Sequence, residues 1–191
     1  NDGTNTYAWD ARNRLTSISG GVSASFGYDG LNRRKIKTIG GVATGFWSDG
    51  NDVLAELSGT TPSTTYIRGL SLDEPYIRKG GADEFYETDA LGSTVALTNG
   101  SGTLQTTYTY DPFGLTTQGG ASSSNSFQYT GRERDLSSTY YYRARYYMPT
   151  VRRFASEDIL RPDSEANNLF VYALNDPVNL SDPLGLKPPR N

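Results

Sequence analysis

Any chemistry this chain performs has to come from carboxylates, hydroxyls and cations other than histidine. Its 191 residues include no histidine and no cysteine, which removes the imidazole base, the thiol nucleophile and the thiolate metal site together. Peptide hydrolysis with what remains needs two carboxylates that share a proton. One takes a proton from water while the other supports the tetrahedral oxygen. An arginine beside them would keep one carboxylate ionised and stabilise developing negative charge. The charges of the last third are segregated. Arg132, Arg134, Arg143, Arg145, Arg152 and Arg153 are accompanied only by the acids Glu133 and Asp135, whereas from Phe154 onward Glu157, Asp158, Asp163, Glu165, Asp176 and Asp182 outnumber Arg161, Lys187 and Arg190. A basic strand segment followed at once by an acidic return segment is expected to dock the one on the other.

The elements that position these residues are announced by turns. Trp9-Asp10, Tyr28-Asp29-Gly30, Asp49-Gly50, Asp89 to Gly92 and Tyr110-Asp111 to Gly114 form one series of corners, interleaved with glycine turns at Gly20-Gly21, Gly40-Gly41, Gly59, Gly80-Gly81, Asn99-Gly100 and Gly119-Gly120. Two turn series at one period describe a stack of β-hairpins in which each unit depends on its neighbours. The fold class is therefore all-β: an antiparallel hairpin array over residues 1–126, forming a curved or spiralling sheet, with a less regular C-terminal core. Fourteen tyrosines against one methionine suit half-buried strand faces whose hydroxyls stay wet. Gly119 to Asn125 reads as a flexible loop. Alternation along Thr139–Tyr147, taken as one strand, puts Tyr140, Tyr142, Ala144 and Tyr146 on one face and Tyr141, Arg143, Arg145 and Tyr147 on the other. Ser164 to Leu174 is the one stretch expected to form a short helix.

A net charge of −3 gives no case for nucleic-acid or lipid partners. No apolar run reaches the length of a membrane span. Without cysteine there is no thiolate metal site, and no metal or cofactor is expected. The Gly/Ser/Thr/Tyr-rich composition leans towards a secreted or cell-surface setting. The chain opens at Asn1 without methionine, which suggests a processed or excised piece.

The Tyr-Asp corners, then Asp89-Ala-Leu-Gly-Ser93, Tyr110-Asp-Pro-Phe-Gly114, Tyr129-Thr-Gly-Arg-Glu133, Tyr141-Tyr-Arg-Ala-Arg-Tyr-Tyr147, Arg153-Phe154, Asn175-Asp-Pro-Val-Asn179 and Asp182-Pro-Leu-Gly-Leu186 resemble the RHS/YD-repeat proteins. More narrowly, they resemble the RHS-associated core that ends the array in bacterial polymorphic toxins and insecticidal toxin-complex shells. The resemblance implies a β-shell around a C-terminal toxin or effector cargo, with neighbouring YD repeats as partners. Residues 127–186 would then be the core and 187–191 a tail after a self-made cut between Leu186 and Lys187. It implies Asp158 and Asp182 as the two carboxylates of a single-turnover aspartyl-type protease. Arg145 is the first choice for the arginine beside them and Arg153 the second. Ile159 follows the first aspartate where relatives often carry Pro, and Met148 stands where they often carry Asp. Asp111-Pro-Phe-Gly-Leu115 fits the same five-residue pattern as the cleavage motif, but sits in the repeat rhythm and reads as a corner only. The simpler reading of Asp158 and Asp182 is also that they cap turns.

The alternative function is a non-catalytic structural or adhesive module that assembles with other copies of itself through sheet edges, as an oligomer or extracellular filament. A carbohydrate- or receptor-binding module built on exposed tyrosine and arginine is a third reading.

Overall fold

The computed structural model describes residues 1–136, 139–160 and 168–186. Its extended structure is β, and twelve strands follow one another in chain order in a single antiparallel sheet. Contacts divide the chain into two compact units, residues 1–66 and Ile67 onward. The first unit holds β1 (Asn5–Trp9), β2 (Leu15–Gly20), β3 (Ala24–Tyr28), β4 (Arg34–Ile39), β5 (Val42–Asp49) and β6 (Asp52–Ser58), and β7 (Thr61–Arg68) crosses the boundary. The second holds β8 (Pro75–Lys79), β9 (Glu84–Thr88), β10 (Thr94–Thr98), β11 (Leu104–Tyr110) and β12 (Thr116–Gly120). A separate four-stranded sheet follows, made of β13 (Glu133–Leu136), β14 (Thr139–Tyr142), β15 (Arg145–Met148) and β16 (Arg153–Phe154). No described helix is long and apolar enough to cross a membrane.

The corners share one chemical plan. At Asp10, Asp29, Asp89, Asn99 and Asp111 the backbone N–H donates to the carbonyl four residues on, and the carbonyl accepts from the N–H three residues on. The side-chain Oδ1 then accepts from the N–H groups at the second and fourth positions after it. An Asp carboxylate or Asn amide oxygen thus satisfies two amides that the bend leaves without a ladder partner. The third position after each must take a left-handed φ, and it is Asn13, Asn32, Gly92, Gly102 or Gly114 accordingly. At Asp10 and Asp29 the second oxygen, Oδ2, pairs with the arginine four residues on, Arg14 at 2.6 Å and Arg33 at 2.8 Å.

Several sequence expectations are corrected. Gly119-Gly120 is no turn: both residues lie in β12, paired with Thr107 and Thr106. Thr139–Tyr147 is not one strand but a tight hairpin, with Tyr142 opposite Arg145 and Arg143 in a left-handed conformation at φ 55°. The hairpin puts Tyr140, Tyr142, Arg145 and Tyr147 on one face and pairs Tyr141 with Tyr146 on the other. The expected helix also fails where it can be seen. Val171 bridges to Arg153, and Ala173–Asn175 is a single 3₁₀ turn with Leu174 and Asn175 at positive φ. Ser164, its expected cap, lies outside the described residues.

Nor are the core tyrosines wet. Tyr140, Tyr142, Tyr147 and Tyr172 are fully buried in one cluster with Tyr129, Phe154 and Ala173. Their hydroxyls are satisfied inside the protein. Tyr142 meets Thr130 Oγ1 at 2.6 Å and Tyr172 Oη at 3.1 Å, Tyr147 donates to the Phe113 carbonyl at 2.8 Å, and Tyr140 meets Thr116. Each ring removes a large apolar area from water while a directional bond fixes its tip. Burial raises the Tyr140 and Tyr172 hydroxyls to about 12, so the network stays neutral.

Candidate active site

The tight hairpin turn between β14 and β15 projects Arg145 into this core. Its guanidinium lies 3.7 Å above the Phe154 ring, an arrangement that favours a cation over an aromatic face. The side chain is 2% exposed and its donors are distributed over five acceptors. Nε donates to the Gly185 carbonyl at 2.5 Å, Nη1 to the Leu169 carbonyl at 3.0 Å, and Nη2 to the Leu186 carbonyl at 3.2 Å. The same Nη2 faces Asp158 Oδ2 at 3.0 Å and Asp182 Oδ2 at 3.4 Å. Asp158, Asp182, Arg145 and Leu186 therefore converge, although they come from different segments of the chain. Lys187 lies outside the described residues. Arg153, the second choice of arginine, sits exposed on β16.

Both aspartates also cap their own turns. Asp158 Oδ1 accepts from the Leu160 amide at 2.9 Å, and Asp182 Oδ1 accepts from the Leu186 amide at 2.9 Å. The turn-capping reading and the convergent one are thus satisfied by different oxygens of the same carboxylates. Gly185 is required for the second turn. Its φ is +63°, and a Cβ there would lie 2.0 Å from the Tyr142 carbonyl oxygen.

One buried guanidinium cannot neutralise two carboxylates, one of them fully buried, and a proton restores the balance. Burial pushes the Asp182 carboxyl up to about 7, and Asp158 adds to the rise, while the Leu186 amide and Arg145 oppose it. Burial also lowers the Arg145 guanidinium from its ordinary value, against the pull of Asp158 and Asp182. Asp182 is 1% exposed whereas Asp158 keeps 16%, so only the latter carboxylate is open to water. Such a pair, with a donor already on a peptide carbonyl, has the parts for acid–base hydrolysis of that peptide.

Sequence reasoning missed the other charged cluster of the core. Arg132 and Arg143 both pair with Asp73, in the loop between β7 and β8, while Arg143 also reaches the Pro183 carbonyl of the return segment. No local pattern singles out Asp73.

No family model matches the chain. It is 33% identical over 199 residues to the tRNA3(Ser)-specific nuclease WapA of Bacillus spizizenii, an overlap of 96% of this chain and 8% of that protein. It is 36% identical over 103 residues to the toxin subunit YenC1 of Yersinia entomophaga, covering 51% of this chain and 10% of that one. The toxin protein Tse5 of Pseudomonas aeruginosa is 33% identical over 103 residues, 53% of this chain and 8% of that protein. Among solved structures the fold matches the TcdB2-TccC3-TEV crystal structure with a TM-score of 0.77 at 21% identity, over 96% of this chain and 10% of that one. It also matches the Photorhabdus luminescens Tc holotoxin pore, with a TM-score of 0.71 at 20% identity, over 98% and 10%. The corner plan and the closing four-stranded sheet define a YD-repeat β-array with its associated core. The chain is a segment homologous to the RHS/YD-repeat toxins, and it spans 8 to 10% of the relatives described.

Proposed function

We propose that this chain is the end of a YD-repeat shell that cuts its own backbone after Leu186, once, and so separates a C-terminal cargo from the shell. The observation that carries the reading is the meeting of Asp158, Asp182 and the Leu186 carbonyl on a single nitrogen of Arg145. In the reaction a water adds its oxygen to the Leu186 carbonyl carbon and gives a proton to Asp158, the carboxylate with solvent access. Arg145 stabilises the negative charge that forms on the carbonyl oxygen. As the bond to the nitrogen of Lys187 breaks, Asp182 passes its proton to that nitrogen. The Asp182–Leu186 turn and the Arg145 bonds hold the carbonyl in place beforehand, which removes an entropic part of the barrier.

The sequence relationship to a nuclease and to proteins named as toxins favours a secreted or cell-surface bacterial setting, with neighbouring repeats and a toxin or effector cargo as partners. Intact mass of the purified chain tests the reading. Cleavage removes the five residues after Leu186, whereas a purely structural module that assembles through its sheet edges stays whole.

A further inference from the structure

Asp73 stands 59 positions before Arg132 and 70 before Arg143 in the chain, yet both arginines bind it. Arg132 sends Nη1 to Asp73 Oδ1 and Nη2 to Glu133 Oε2 at 3.1 Å, and it also holds the Tyr141 carbonyl through Nε at 3.1 Å and Nη2 at 2.7 Å. Arg143 grips Asp73 with two bonds, Nη2 to Oδ1 at 2.7 Å and Nη1 to Oδ2 at 2.9 Å. The Asp73 backbone is left-handed at φ 62°, a conformation that aspartate tolerates better than most side chains. Its carbonyl oxygen lies 2.5 Å from where a Cβ on Gly131 would sit. Burial opposes charge on this carboxyl, yet the two guanidinium groups hold it below the ordinary carboxylate range. The β7–β8 loop is therefore locked onto the core through one ionised side chain.

Arg143 has a second function. Its Nη1 also donates to the Pro183 carbonyl, inside the cleavage motif. The Ala144 amide donates to the Leu184 carbonyl at 3.2 Å, and Arg145 takes the Gly185 and Leu186 carbonyls. Four successive carbonyls of the motif are thus held by three successive residues at the hairpin tip. The grip starts at Arg143, whose guanidinium is oriented by Asp73.

We propose that Asp73 is a positioning residue for the cleavage site. It orients Arg143, Arg143 fixes Pro183, and the Leu186 carbonyl is thereby registered against Arg145. Cleavage then depends on the β7–β8 loop being seated on the core. The proposal rests on the self-cleavage reading above, and the test separates the two.

The test measures the first-order rate of tail loss in folded chain for wild type, Asp73→Asn, Arg143→Met and the double variant. Each single variant is expected to slow cleavage by roughly tenfold to a hundredfold, because small misplacements of a reacting group cost rates of that order. The double variant should be no slower than the slower single one, since both break the same link. A merely structural role would lower the unfolding midpoint but leave the rate of folded chain unchanged. Arg143→Lys, which keeps a donor for Pro183, should recover part of the rate lost in Arg143→Met. Wild-type rates in both single variants, or fully multiplicative losses in the double, overturn the proposal. If Asp73→Asn does not fold, the comparison of Arg143→Met with Arg143→Lys decides it on the hairpin tip alone.

A second measurement covers failure of the protease reading. In an Asp182→Asn background, amide exchange is followed at Ala144, Gly185 and Leu186, with Tyr140 and Tyr147 as core references. Adding Asp73→Asn should accelerate exchange at the first three and spare the references. A wild type that never cleaves, together with this selective acceleration, rejects the protease and keeps the positioning. Unchanged exchange at the three amides rejects the positioning itself.

Discussion

The Leu186 amide donates to Oδ1 of Asp182 at 2.9 Å, the same bond that the Leu115 amide makes with Asp111 at 2.7 Å. The third residue of each corner, Gly185 and Gly114, donates its N–H to the aspartate carbonyl and is left-handed. The candidate site is thus a repeat corner put to another use. It departs from the corner plan in its Leu186 carbonyl, which accepts from Arg145, and in the partner of Oδ2. Asp10 and Asp29 pair theirs with an arginine of their own corner, whereas Asp182 turns its Oδ2 towards Arg145, which arrives from a different hairpin and also holds Asp158.

Asp158→Asn and Asp182→Asn should each abolish loss of the tail while leaving a cooperatively folding β-protein. Asparagine keeps the Oδ1 acceptor that caps each turn and removes only the acid–base function. A fall in rate on the order of a hundredfold or more is expected in each, read by intact mass against time. Equal cleavage in wild type and both variants would assign the cut to an outside protease.

Cleavage should weaken as pH rises through about 7. Burial holds the Asp182 proton up to about that value, and the mechanism needs that proton for the leaving nitrogen. A rate–pH profile on freshly refolded chain should show the loss on its alkaline side, as a property of the coupled pair. A rate that instead climbs steadily through pH 8 would assign the acid's task to another group.

The same shift makes a stability prediction of opposite sense to the usual carboxylate. The folded value of Asp182, about 7, lies above the ordinary range, so the folded state keeps a proton that the unfolded chain releases near pH 4. Its contribution is fully present below the unfolded value and is lost as pH rises through about 7. Because active chain loses its tail, the comparison is made on Asp158→Asn, where burial still acts on Asp182. The stability of that protein should fall between pH 6 and pH 8 as the Asp182 proton is lost, and by less than in a chain that keeps Asp158, because Asp158 adds to the rise. Chemical denaturation at the two pH values measures it.

How much of this was legible depended on whether the signal was local. The corners could be read because an Asp or Asn followed three places on by Gly or Asn contains both the cap and the left-handed residue. Asp158 and Asp182 could be named, and their approach to each other beside Arg145 expected, only through motif resemblance, since Asp111-Pro-Phe-Gly-Leu115 has the same five-residue pattern and is a corner only. The hairpin at Arg143 was hidden because an arginine occupies its left-handed position where a glycine or asparagine would have marked a turn. Val171 and Tyr172 serve a strand as well as the expected helix, as β-branched and aromatic residues do, and they take a bridge and a core position. Asp73 gave no signal at all. Its partners lie 59 and 70 residues away, and only tertiary structure brings them together.

Replacing Gly185 separates the two demands made on the cleavage turn. Gly185→Ala must place a left-handed φ of +63° on a residue with a side chain, and must also push a Cβ against the Tyr142 carbonyl oxygen from 2.0 Å. Gly92→Ala carries the first cost alone: its φ is +80° and nothing lies within 4 Å of the added carbon. The left-handed penalty is about 1–2 kcal/mol, so Gly92→Ala should lower stability by that amount and leave the cleavage rate of folded chain unchanged. Gly185→Ala should cost more, because the clash is with backbone that cannot rotate away. Relief of that clash has to move the 183–186 segment off the hairpin tip, which withdraws the Leu186 carbonyl from Arg145 and should stop cleavage even in chain that remains folded. Denaturant midpoints and intact mass, measured on both variants, give the two readouts. A Gly185→Ala protein that loses its tail at the wild-type rate would mean that the bonds from Arg143, Ala144 and Arg145 to this segment do not position the reacting carbonyl.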